Sequence, residues 1–166
     1  MDDLLKKDWW NYLEKDLQEL LKESILLKEV FGTEEKIETE FNDYSFLVFP
    51  AAKAYEGFLK KLFLDSGFIT KEDYYGKRFR VGKALNPALE ERYWDESVYR
   101  KIVALKGNNF LAEKLWETWR LGRNLVFHWF PDEKNALSYA EGIKRIEMIL
   151  ETIDLAYKEC KIKKEE

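Results

Sequence analysis

Residues Tyr139–Tyr157 read Y-A-E-G-I-K-R-I-E-M-I-L-E-T-I-D-L-A-Y. Within them Tyr139, Ile143, Ile146, Leu150, Ile153 and Tyr157 recur at alternating spacings of four and three. On a repeat of 3.6 residues these side chains form one apolar stripe, the pattern of a helix packed in a bundle or against a partner helix. The same period recurs upstream. Tyr55, Phe58, Leu59, Leu62 and Phe63 give one face of a helix expected from about Tyr44 to Ser66 and ended by Gly67. Pro50 lies inside it, either in the first turn or at a kink. Trp10, Leu13, Leu17, Leu20 and Leu27 mark a first helix, capped by Asp2 or Asp3 and ended by Gly32. Shorter helices are expected around Pro87–Arg92 and Glu96–Leu105, and a longer one from Phe110 to Phe127 or His128, stopped before Pro131. Asp132 can cap the final helix, and residues 33–41 read as an acidic connector or short helix. The stretch 67–87, punctuated by Gly67, Gly76 and Gly82, reads as a loop with short extended pieces. The fold class is all-α: a helical bundle with a basic loop inserted between helices.

Composition bounds what such a bundle can do. The chain has 166 residues, 46% hydrophobic and 36% charged, which fits one globular domain with a real core over residues 1–166. The N-terminal helix occupies about 1–31, and the basic tail 161–166 is expected to fray. One histidine, His128, and one cysteine, Cys160, exclude an internal disulfide framework and a Cys/His zinc site built from one chain. The net charge of −4 excludes a globally basic nucleic-acid binder but leaves room for a local basic patch. No stretch approaches the ~20 apolar residues of a membrane span. Met1-Asp2-Asp3 is acidic where a signal peptide is basic, so a cytoplasmic protein is expected.

Two windows break the acidic average. Thr118–Pro131 contains no acid and carries Arg120, Arg123 and His128; Tyr74–Leu89 also lacks acids and carries Lys77, Arg78, Arg80 and Lys83 around Phe79. Together they suggest a phosphate-binding surface. On an ideal helix Asn124 and His128 share a face, as do Arg120 and Asn124. Arg123 and His128, five apart, lie roughly 140° apart and do not meet by helix geometry alone. An imidazole, a guanidinium and an amide are the groups a phosphodiester site asks for. The first moves a proton, the second binds the phosphate through paired hydrogen bonds, and the third orients an oxygen. That chemistry requires neither a metal nor a cofactor. The plainer reading is a packed histidine between Phe127 and Trp129, and a solvated loop that is basic by chance.

Arg123-Asn124-Leu125-Val126-Phe127-His128 resembles the R-N-x-x-x-H form of the HEPN superfamily motif. Phe49-Pro50-Ala51-Ala52-Lys53-Ala54-Tyr55-Glu56-Gly57-Phe58-Leu59-Lys60-Lys61-Leu62 resembles a helix in the HEPN domain of RnlA/LsoA-type RNase toxins, with the basic loop similarly placed between the two segments. The resemblance extends over about 44–157. It implies a small helical domain that acts as a metal-independent endoribonuclease of toxin–antitoxin or defence type. It also implies a homodimer whose two motifs face each other, with RNA as substrate and an antitoxin protein as a candidate partner. By position, it makes His128 the acid/base, Arg123 the phosphate ligand, Asn124 a polar assistant and Glu56 the residue that orients Arg123 or His128. Arg120, Lys77, Arg78, Arg80 and Lys83 would bind RNA. The further N-terminal domains of RnlA-type toxins and a fused nucleotidyltransferase have no counterpart in the sequence. The rival expectation is a non-catalytic HEPN-like module that binds RNA, a nucleotide or a protein and uses the Tyr139–Tyr157 stripe for association. A third is a structural protein in which Arg123 and His128 only pack.

Overall fold

The computed structural model describes residues 2–32, 41–129, 131 and 135–160. Its helices are α1 (Asp2–Leu5), α2 (Lys15–Gly32), α3 (Ser45–Asp65), α4 (Lys71–Tyr75), α5 (Val81–Ala84), α6 (Val98–Lys106), α7 (Phe110–Trp119) and α8 (Tyr139–Glu159). No strand occurs among the described residues, so the fold is an all-α bundle. Helix α3 is its axis. It packs against α2 and α8 and touches α4 and α5, while α7 packs against α6 and α8. The expected apolar face of α3 is buried, as are Leu47, Val48, Ala51 and Ala52 in its N-terminal half. Gly57 brings α2 close, because a Cβ there would collide with the Leu17 side chain.

Buried polar groups tie the helices pairwise. The Ser24 hydroxyl on α2 donates to the Leu47 carbonyl at 2.8 Å. The Tyr55 hydroxyl on α3 donates to the Leu115 carbonyl at 3.1 Å. Thr118 on α7 and Thr152 on α8 share a hydroxyl hydrogen bond of 2.9 Å. Each bond satisfies a group that would be costly to bury alone. The α8 stripe is consumed in the same core. Ile146 and Ile153 are buried, and Tyr139, Ile143, Leu150 and Tyr157 pack half-buried against it. The stripe is therefore occupied within the chain rather than left for association.

Helix α3 matches its expected limits, with Tyr44 at its N-cap, Ser66 at its C-cap and Gly67 at φ +71°. Pro50 is buried in the second turn rather than the first. The first helix is not continuous. A 3-10 turn at Trp10–Tyr12 separates α1 from α2, and Leu13 is extended. Trp9 and Trp10 are both buried. Neighbouring residues of a straight helix point about 100° apart, so one helix face does not accommodate both indoles. The Gln18 side chain holds the break by donating to the carbonyls of Trp10 at 2.9 Å and Leu13 at 3.3 Å.

Other expectations shift for similarly local reasons. The 67–87 loop contains α4 and α5 instead of extended pieces. The expected helix at Pro87–Arg92 is a turn followed by a 3-10 segment at Glu91–Glu96. The Asn86 side chain accepts from the Ala88 N–H at 2.9 Å, and the stretch buries no residue, with only Leu89 and Tyr93 half-buried. Helix α6 begins after Ser97, whose hydroxyl caps it. Helix α8 starts at Tyr139 under a capping box of Ser138 and Glu141, so Asp132 is not its cap. Asp132, the acidic segment 33–40 and the tail 161–166 lie outside the described residues.

Candidate functional site

Beyond Trp119 the chain keeps turning but changes pitch. Arg120–Asn124 is a π turn, in which the Leu125 N–H donates to the Arg120 carbonyl five residues back. Leu125–Phe127 then tightens into a 3-10 turn, and His128 leaves it with extended backbone at φ −107° and ψ 136°. Gly122 seats the wide turn against α8. A Cβ there would lie 3.2 Å from two side-chain carbons of Ile149. The extra residue re-aims every later side chain, which is why such turns recur at functional sites. The helix expected through Phe127 or His128 is therefore present but not a uniform α-helix. Asn124 and His128 do not share a helix face, because His128 is outside the helix.

The π turn sets Arg123 against α3. Its Nη2 lies 3.4 Å from Glu56 Oε2, and its guanidinium stands over the Trp119 ring at 5.1 Å. Both ion-pair partners are about one-third exposed, so the pair contributes orientation more than stability. A second crossing lies further along, where the Phe127 and Phe49 rings meet edge to face at 5.5 Å. His128 follows at the exposed end of this run, and its carbonyl accepts from the Asn135 side chain at 3.3 Å. Arg120 is exposed and Asn124 is half-buried. Thus Arg123 and Glu56 are in contact, and His128 is presented to solvent rather than packed in the core.

The basic loop borders the same place. Gly82 of α5 packs on Trp119, where a Cβ would come within 2.6 Å of the indole Nε1. The Trp119 ring therefore touches both acid-free windows. Neighbouring segments bring acids to the loop. Arg78, Arg80, Lys83 and Lys101 share a cavity of about 430 Å³ with Asp73, Asp95 and Glu96. The Lys83 ammonium pairs with Glu96 at 2.7 Å and lies 3.8 Å from the Tyr93 ring centroid. Arg80 is folded back onto the carbonyls of Lys77 and Phe79. Lys77 and Arg78 are exposed.

Cys160 is half-buried, and burial pushes its thiol above the ordinary value. A thiol held protonated is a poor nucleophile. Asp43 anchors the segment that returns from the site. Its carboxylate accepts from the Ser45 hydroxyl at 2.6 Å, the Ser45 N–H at 2.9 Å and the Leu137 N–H at 3.1 Å.

The family model of RnaseLS-like HEPN domains matches residues 12–107, more than half of the chain. The chain belongs to the RnaseLS-like HEPN family. No curated protein and no solved structure gave a match. The HEPN match includes α2, Glu56 on α3 and the basic loop, and it overlaps the expected 44–157 region over 44–107. The Arg123–His128 segment lies beyond it.

In this HEPN chain, sequence reasoning missed Trp119, Gly82, Phe49 and Asn135 as neighbours of the motif. Trp119 carried a usable signal, since it stands four residues before Arg123, at helical contact spacing. Gly82, Phe49 and Asn135 reach the site only through tertiary packing. Among the described residues, no helix is long and apolar enough to cross a membrane.

Proposed function

We propose that the protein is a homodimeric, metal-independent endoribonuclease of toxin or defence type that cleaves RNA by attack of the neighbouring 2′-hydroxyl. The observation that carries this reading is the Arg123–Glu56 contact, which holds a guanidinium in place at the start of the short run that presents His128. Membership of the HEPN family supports it, as do the likeness of residues 49–62 to a helix of RnlA/LsoA-type toxins and of residues 123–128 to the HEPN superfamily motif.

The 2′-oxygen attacks phosphorus, and its proton passes to an imidazole acting as base. The bond to the 5′-oxygen breaks, and that oxygen leaves with a proton supplied by an imidazole. A 2′,3′-cyclic phosphate and a 5′-hydroxyl result. Arg123 binds the non-bridging oxygens and stabilises the charge that grows on them. Glu56 is a positioning residue that fixes Arg123, and Asn124 assists from the same turn. Arg120, Lys77 and Arg78 hold the flanking backbone, with Arg80 and Lys83 released from their present partners to join them. Two copies facing each other set His128 of one beside Arg123 of the other at two equivalent sites in one cleft, and at each site the one imidazole takes the 2′-hydroxyl proton and then returns a proton to the leaving 5′-oxygen. An antitoxin protein would act by covering this cleft.

The test is cleavage of single-stranded RNA in EDTA. The wild type should cut, and His128→Ala should lose about 10²–10⁴-fold in rate. Glu56→Gln should lower the rate while leaving the shape of the pH–rate profile unchanged. Equal cutting by the wild type and His128→Ala contradicts the assignment. Binding of RNA without any cutting would replace it with a non-catalytic HEPN module.

A further inference from the structure

We propose that the exposed aromatic side chains beside His128, namely Phe49, Phe127 and Trp129, form a stacking platform for the unpaired bases of a single-stranded RNA. The inference rests on the ribonuclease reading and names the substrate form that its site accepts. Phe49 is 53% exposed, Phe127 37% and Trp129 82%. Aromatic rings this open, grouped at one site, mark a binding surface rather than scattered surface residues.

The platform has a definite position. The segment after α7 crosses α3 twice, once through Arg123 on Glu56 and once through Phe127 on Phe49. Phe49 and Glu56 are seven residues apart, so the two crossings lie about 10 Å apart along one face of α3. Lys53, exposed, stands between them at helical spacing. A phosphate held at Arg123 therefore has aromatic faces within reach of the adjoining bases.

Charge favours RNA over a protein partner. Residues 118–129 carry no acid, and the only acid of α3 before Asp65 is Glu56, which is paired with Arg123. Arg123 is offset by Glu56, so the exposed Lys53 and Arg120 leave the strip cationic. A second copy facing it across the cleft sets the same cations opposite, so the two strips repel unless an anion lies between them. A polyanion relieves that repulsion, and its bases cover the rings. Stacking needs unpaired bases, so the platform selects single strands over duplexes.

The test separates this proposal from the catalytic one by measuring binding without cleavage. A fully 2′-O-methylated single strand lacks the attacking hydroxyl and reports affinity alone. By fluorescence anisotropy, Phe49→Ala and Trp129→Ala should each weaken binding about tenfold. Phe49→Leu, which keeps apolar bulk but has no π face, should behave like Phe49→Ala, and Phe49→Tyr should bind like the wild type. A duplex of the same sequence should be insensitive to all four. Lys53→Ala should lower the salt dependence of binding by about one counterion, whereas the aromatic variants should leave it unchanged. Wild-type affinity in Phe49→Leu and Trp129→Ala overturns the platform, even if His128→Ala has lost cleavage. Dissociation of the dimer by these variants in sedimentation also overturns it, because the rings would then serve association. Intact stacking with no cleavage by the wild type leaves the platform and overturns only the nuclease.

Discussion

At the scale of single residues, the site depends on a few side chains whose partners come from distant segments. Glu56 and Arg123 lie on different helical runs and meet at 3.4 Å. Asp43 performs a comparable task behind the site, joining the start of α3 to the chain returning at Leu137. Burial raises its carboxyl pKa, but hydrogen bonds from the Ser45 hydroxyl, the Leu137 N–H and the Ser45 N–H outweigh burial and leave it below the ordinary 3.8. A carboxyl more acidic when folded adds stability above its unfolded pKa, and that stability is lost as pH falls through the folded value. Asp43→Asn should therefore be less stable than the wild type at pH 6, by about 1 kcal/mol or less because the residue is exposed. That difference should close between roughly pH 4 and pH 2. Urea unfolding at several pH values checks this, and a difference that stays constant down to pH 2 contradicts it.

At the scale of elements, legibility in the sequence followed the range of the forces involved. Helix α3 was readable to within a residue because its apolar face and Gly67 are local signals. The start of α8 is also written locally, in the spacing of Ser138 and Glu141, although by residue type alone Asp132 is an equally good cap. The break between α1 and α2 and the π turn after α7 were not readable. The first depends on burying Trp9 and Trp10 together, and the second on how Gly122 and Ile149 meet. The motif's residue types were legible, but the partners of Arg123 were not fixed by spacing alone. Glu56 needed the family resemblance to be singled out. The buried Thr118–Thr152 pair holds α7 to α8 just before the π turn. Thr118→Val should cost about 1–3 kcal/mol by leaving Thr152 without its partner, and Thr118→Val with Thr152→Val should cost less than the two single changes together. Chemical denaturation of the four proteins measures this coupling, and strict additivity contradicts it.

At the scale of the whole molecule, the bundle uses its long apolar stripes internally and leaves a cationic, aromatic strip outside. The α8 stripe, which sequence alone leaves open to association, is packed against its own core. The proposed composite site would then depend on how two copies share their exposed motifs. Within one chain, His128 leaves the helical run with extended backbone after Arg123 has turned toward α3. In the proposed nuclease, Arg123 of one copy and His128 of the other serve each cleavage site. Mixed dimers of Arg123→Ala and His128→Ala chains measure this most directly. In each mixed dimer one site carries both substitutions and the other carries neither. RNA cleavage in EDTA should therefore recover to about half the wild-type rate, while both mutant homodimers remain inactive. Mixed dimers as inactive as the two homodimers would place Arg123 and His128 in the same chain's site and contradict the composite arrangement.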